Sequence, residues 1–204
     1  MKIPEPNLTA QNLASARKLL LLVTSLLDKK GIPYYLEGGT LLGIVRDKEL
    51  LPWDHDVDLA APVEYANAIL KLRYELLFRG YKLSVRKSTQ ALGPVKIGDY
   101  SVIKIKPIGG YFIRWFMPRY TSFIVLDLFL KTTDQTHTYW QAKGKFMRVT
   151  NRYYQSNEEV EYAGRMLKVP NHYRDFLTDK YGDWSIPVKE WDCGRDERTI
   201  VTDP

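Results

Sequence analysis

The chain has 204 residues, 45% of them hydrophobic and 26% charged, proportions that suit a globular protein with a buried core and exclude a mainly disordered one. Cys193 is the only cysteine, so an intrachain disulfide is impossible and a reducing compartment is expected. Thirty Lys and Arg against 24 Asp and Glu leave a net charge of +6, which favours anionic partners without choosing among them. With His55, His137 and His172, Cys193 offers no finger-like zinc spacing. Residues Met1 to Pro6 lack the layout of a secretory signal. The longest apolar run, Leu19 to Val23, falls far short of the ~20 residues of a membrane span. A soluble, cytoplasmic chain is the expectation.

In chain order, Asn7 or Thr9 can cap a first helix running to about Lys30. Leu13, Ala16, Leu20, Val23 and Leu27 follow at helical spacing, and Gly31 supplies the stop. Pro33 opens a short strand, Tyr34 to Leu36, and after Gly38-Gly39 a short helix is expected over Thr40 to Arg46. Val57 to Ala61 reads as a strand ended by Pro62, then a helix from about Val63 to Arg79 ends at Gly80. Strand-like runs follow at Tyr81–Arg86, Val102–Lys106 and Phe123–Leu130, and helical stretches around Asn157–Ala163 and Asn171–Lys180. No repeat or Gly/Ser linker divides the chain. We expect a single domain over residues 1–204, with a core of about 8–150 and a helical or irregular extension of about 151–204. The predicted class is α+β, a mixed sheet flanked by helices.

Asp54, Asp56 and Asp58 lie two apart, and on an extended strand such residues share a face. Carboxylates crowded in this way call for a cation, and hard oxygen ligands select magnesium, manganese or calcium over zinc. An EF-hand loop would need Gly and Glu where Leu59 and Tyr65 stand. A solvated acidic turn is opposed by Val57 and Leu59, which alternate with the aspartates as a buried face does. Upstream, Gly38-Gly39-Thr40 between a strand and a helix lets backbone approach a phosphate, with helix N–H groups pointing at it. Asp127, inside the apolar run Ile124 to Phe129, is costly to bury alone. It is either a hydrogen-bonded core residue or a third carboxylate of the site.

The segment Leu36-Glu37-Gly38-Gly39-Thr40-Leu41-Leu42-Gly43, then Arg46, then Pro52-Trp53-Asp54-His55-Asp56-Val57-Asp58-Leu59, closely resembles the LicD/fukutin phosphotransferases of the nucleotidyltransferase superfamily. Val169-Pro170 and Tyr181-Gly182-Asp183-Trp184 with Pro187 are similar to that family's C-terminal signature. The resemblance implies a nucleotidyltransferase-like fold. It also implies transfer of a phosphorylated alcohol, phosphocholine or a polyol phosphate, from a CDP-linked donor to a glycan or glycolipid hydroxyl. By the same resemblance Asp56 and Asp58 are ligands of Mg2+ or Mn2+, and Asp127 is the third carboxylate, a metal ligand or a base. Gly38, Gly39 and Thr40 hold the donor phosphates, and Arg46 either neutralises phosphate or makes a structural salt bridge. Asp54 is a further metal ligand or orients Arg46, and Trp53 packs or touches ligand.

For a choline headgroup, Tyr111 to Phe116 and the pair Tyr153-Tyr154 offer aromatic faces, with core packing as the competing reading. The first stretch, with Arg114 and Arg119, also suits peripheral contact with a membrane-borne acceptor. Two other classes compete: a nucleotidyltransferase that moves NMP from an NTP, and a basic nucleic-acid-binding module without catalysis. The second has no recognised motif and leaves three aspartates in five positions unexplained, so no nucleic-acid partner is expected.

Overall fold

The computed structural model describes residues 8, 10–108 and 124–202. Helix α1 (Ala10–Lys29) buries Ala16, Leu19, Leu20, Val23, Leu26 and Leu27 along one stripe and packs across two central strands. It ends at Gly31, where φ is +65° and the Ile32 amide turns back to the Leu27 carbonyl. Strand β1 (Tyr35–Leu36) leads into α2 (Gly38–Arg46), which begins two residues earlier than the sequence suggests. Strand β2 (Asp56–Pro62) follows.

The expected long helix over residues 63–79 is broken into a 3-10 turn (Val63–Tyr65), α3 (Ala66–Lys71) and α4 (Arg73–Leu77). Leu72 marks the break, with ψ of −8° and its amide bonded to the carbonyl of Ile69, three residues back. Strands β3 (Tyr81–Lys87), β4 (Tyr100–Pro107) and β5 (Val125–Thr133) complete the central sheet in the order β1-β2-β5-β4-β3. Among the described residues, only β2 and β5 run parallel; the other pairs are antiparallel. This is the expected α+β architecture, a mixed sheet flanked by helices.

The region after β5 holds more strand than expected. β6 (His137–Ala142) continues from β5 and turns through Lys143-Gly144 into β7 (Lys145–Thr150). Residues 157–163, expected to be helical, form β8 (Asn157–Tyr162), paired with β9 (Arg165–Pro170). Three glutamates give that segment helical propensity, but Glu158, Val160 and Tyr162 turn inward at every second position. Ala163 and Gly164, both at positive φ (50° and 77°), make the two-residue turn that locks the hairpin. Helix α5 (Tyr173–Tyr181) matches the second expected stretch. Tyr153, Leu167, Val169, Phe176 and Leu177 belong to the same buried cluster as Leu20, Val57 and Leu126. Among the described residues no helix is long and apolar enough to cross a membrane.

Candidate active site

The parallel register of β2 and β5 sets Asp58 opposite Asp127, one strand spacing of about 4.8 Å away. Asp56 begins β2, and Asp54 lies in the loop before it. The turn entering α2 lies against these residues so closely that side chains are excluded. A Cβ on Gly38 would come within 2.2 Å of Asp58 Oδ2, and one on Gly39 within 1.9 Å of Asp54 Oδ2. Gly38 also has φ of +56°, a conformation that glycine adopts at little cost. Both glycines are therefore needed for the carboxylates and the first turn of α2 to share one space. The first amides of a helix have no partner within it, so this turn brings hydrogen-bond donors and the positive end of the helix dipole beside the acidic group.

Further contacts hold the turn on β2. Asp58 N–H donates to Thr40 Oγ1 at 2.8 Å, and Glu37 N–H donates to the Asp58 carbonyl at 3.2 Å. Thr40 is thus a brace between α2 and β2. His55 N–H donates to Asp54 Oδ1 at 2.9 Å.

The acidic group is electrostatically strained. Burial, then the charges of Asp56, Asp54 and Asp127, push the Asp58 carboxyl well above the ordinary carboxylate range, with Lys180 acting the other way. Asp54 is also raised, chiefly by burial. Asp127 is buried; its Oδ2 is ion-paired with Lys104, and its Oδ1 has no hydrogen-bond partner among the described residues. A buried acceptor left open is uncommon and costly. Oxygen-only donors, mutual repulsion and an open carboxylate oxygen fit a hard divalent cation. No group of three or more His, Cys, Asp or Glu among the described residues is arranged around one point as a metal cage.

Arg46 is committed elsewhere. Its guanidinium donates to both carboxylate oxygens of Asp47 (2.8 and 2.9 Å) and to the Trp184 carbonyl at 3.2 Å, and lies 5.9 Å from the Trp53 ring. These contacts favour the salt-bridge reading, tying α2 to the C-terminal signature. Trp53 packs on the core. Tyr153 is fully buried, 5.4 Å from Phe176, and Tyr154 is engaged edge-on with Tyr35 and Phe176. Core packing therefore claims this pair instead of a choline headgroup. Residues 111–116 and Arg119 lie outside the described residues.

A buried ionic group behind the turn was missed in the sequence. Glu37, 1% exposed, meets Lys131 Nζ at 3.0 Å and Lys180 Nζ at 2.9 Å, and accepts a bond from Tyr154 OH at 2.9 Å. Lys180 also meets Glu197 at 3.1 Å, and Lys131 Nζ sits 3.2 Å from the centre of the Trp140 ring. Burial alone would raise the Glu37 carboxyl, but Lys131 and Lys180 outweigh it and hold it at about 2. Burial brings Lys131 down to about 8, against the pull of Glu37. The signal available was a charged residue directly after the apolar Tyr34-Tyr35-Leu36. Its partners come from β5, α5 and the segment after β7, and Glu197 of the C-terminal tail joins through Lys180, which no local pattern links.

Ribitol 5-phosphate transferase FKRP of Mus musculus is 27% identical over 184 residues, covering 88% of this chain and 33% of that protein. Ribitol-5-phosphate transferase FKTN of Homo sapiens is 25% identical over 198 residues, covering 89% and 35%. The chain thus spans about a third of the length of these curated relatives. A solved structure of ANT(2")-Ia in complex with adenylyl-2"-tobramycin aligns at 15% identity and a TM-score of 0.42, over 87% of this chain and 81% of its own. The family described as LicD/FKTN/FKRP, nucleotidyltransferase domain, matches residues 31–172. With more than half of its length in that match, the chain belongs to the LicD/FKTN/FKRP nucleotidyltransferase-domain family.

Proposed function

We propose that this chain transfers a phosphorylated alcohol from a CDP-linked donor to a hydroxyl of a glycan or glycolipid, with Mg2+ or Mn2+ as cofactor. The observation that carries the reading is the close approach of the α2 turn to Asp54 and Asp58, possible only because residues 38 and 39 are glycines. It joins a phosphate cradle to an acidic group, the two parts that phosphoryl transfer requires. Family membership supports the same reaction class, and the relatives' names favour ribitol phosphate over phosphocholine as the group moved.

In this reading the amides opening α2 bind the donor diphosphate and orient it against β2. Asp56 and Asp58 hold the cation, with Asp54 beside them; two carboxylates plus waters and donor phosphates make an ordinary magnesium shell. The cation, when bound, neutralises the diphosphate and the charge gathering on departing CMP. Asp127 Oδ1 is the open oxygen, available to the cation or to the proton of the acceptor hydroxyl, while the ion pair of Oδ2 with Lys104 holds the carboxylate in orientation.

The test is incubation of the full chain with Mg2+ and CDP-ribitol, CDP-choline or ATP, with and without a glycan acceptor, followed by assay for CMP and pyrophosphate. CMP release that depends on the acceptor and is lost in Asp56→Asn, with circular dichroism unchanged, is the expected result. Pyrophosphate from ATP would instead identify an NMP transferase, and full activity in Asp56→Asn would remove the acidic group from the mechanism.

A further inference from the structure

The corner where α4 passes into β3 exposes apolar side chains that a solvated surface does not call for. Phe78 is 90% exposed, Tyr74 64% and Leu77 53%, and Val85 on the adjoining strand is also exposed. Tyr74, Leu77 and Val85 line a groove of about 340 Å³ between α4 and β3, floored by Leu70, Leu83 and Tyr100. Scattered apolar residues need no explanation, but a contiguous patch from one short stretch of chain does.

The charge along this stretch of chain is predominantly positive. Residues 70–87 carry Lys71, Arg73, Arg79, Lys82, Arg86 and Lys87 against one acid, Glu75. Glu75 is itself met by Lys30 at 3.2 Å and Arg79 at 3.9 Å. Among the described residues β3 is the last strand of the sheet, and Lys82, Arg86 and Lys87 along it oppose pairing with another strand. An apolar tip with a cationic rim is complementary to a surface that presents hydrocarbon just beneath anionic headgroups.

We propose that the α4–β3 corner docks on an anionic lipid bilayer, with Phe78 and Leu77 entering the interface and Arg73, Arg79 and Lys82 meeting the headgroups. Register shows what this does for the active site. Lys82 pairs with Lys106, Ile105 pairs with Leu126, and Asp56 pairs with Val125. The start of β3 therefore lies at the same end of the sheet as Asp56, three strand spacings away, about 14 Å. Docking sets that end of the sheet towards the bilayer, where a lipid-borne acceptor would be presented. This last step rests on the proposed transferase activity; the docking itself does not.

The test is co-sedimentation of the full chain with vesicles of phosphatidylcholine alone and of phosphatidylcholine mixed with phosphatidylglycerol. Binding to the mixed vesicles alone, weakened by salt, is expected. Phe78→Ser with Leu77→Ser should lower the partition coefficient about tenfold or more, and Arg79→Glu with Lys82→Glu should do so at low salt. All four positions are on the surface, and thermal melting checks that each variant is folded. No binding to anionic vesicles at low salt, or binding unchanged in both variants, overturns the proposal. So does sedimentation velocity showing a dimer that Phe78→Ser converts to monomer, since the face then joins two copies. Retention by RNA that ignores Phe78→Ser but is lost in the charge variant, without vesicle binding, overturns it as well. CMP release measured on a soluble acceptor is independent of every arm, so failure here and failure of the transferase reading are separable.

Discussion

Replacing Glu37 by Gln tests the buried ionic group behind the Gly38-Gly39 turn of the candidate site. The substitution keeps size and hydrogen-bonding capacity but removes the carboxylate charge shared by Lys131 and Lys180. Lys180 retains Glu197, whereas Lys131 keeps the Trp140 ring. The fall of the Glu37 carboxyl from 4.5 to about 2 corresponds to about 3 kcal/mol of stability at neutral pH. That agrees with the 3–5 kcal/mol that breaking a buried pair generally costs, roughly. Because the folded value lies below the unfolded one, this stability is complete above about pH 4.5 and is lost as the pH falls towards 2. Lys131 behaves oppositely: its folded value of about 8 lies below 10.5, so the cost of burying its charge is relieved as the pH rises between them. Without Glu37 that folded value drops further, and relief begins at lower pH. Urea denaturation at pH 5, 7 and 9 should therefore show Glu37→Gln destabilised by about 3 kcal/mol at pH 7 and recovering towards pH 9. Adding Lys131→Met should restore much of the loss, since an apolar replacement leaves no unpaired charge. A deficit below about 1 kcal/mol with a pH profile parallel to the parent would refute this account.

Other substitutions separate function from stability. Asp58→Asn should abolish transfer yet raise the metal-free thermal midpoint, because it removes a buried charge repelled by three neighbouring carboxylates; a lower midpoint would contradict the assigned repulsion. Gly39→Ala drives a methyl into Asp54 and should lower stability by about 1–3 kcal/mol, with donor affinity falling in a nucleotide-binding titration. Gly43→Ala puts its methyl 2.6 Å from the Glu49 carbonyl and should cost about as much in urea. Asp28→Asn, which breaks the part-exposed pairs with Arg165 and Lys168, should cost no more than about 1 kcal/mol, less in high salt.

Much of this protein was legible without coordinates because the deciding physics is local. The 3.6-residue spacing of α1, the Gly-Gly pair that opens α2 and the two-residue alternation of Asp56, Val57, Asp58 and Leu59 each fall within one element. The same locality misled at residues 157–163, where Glu-rich propensity suggested a helix. A two-residue turn at Ala163-Gly164 and inward packing of Val160 and Tyr162 made it a strand. What the sequence determined by itself was the α+β class, the acidic run, the Gly-Gly turn and the family they resemble. Tertiary structure alone decided that Asp58 faces Asp127 and that Arg46 serves Asp47 and Trp184. It also decided that Glu37 is held by lysines 94 and 143 residues away along the chain. Register between distant strands and the pairing of buried charges depend on which surfaces meet, and spacing along the chain carries no record of that.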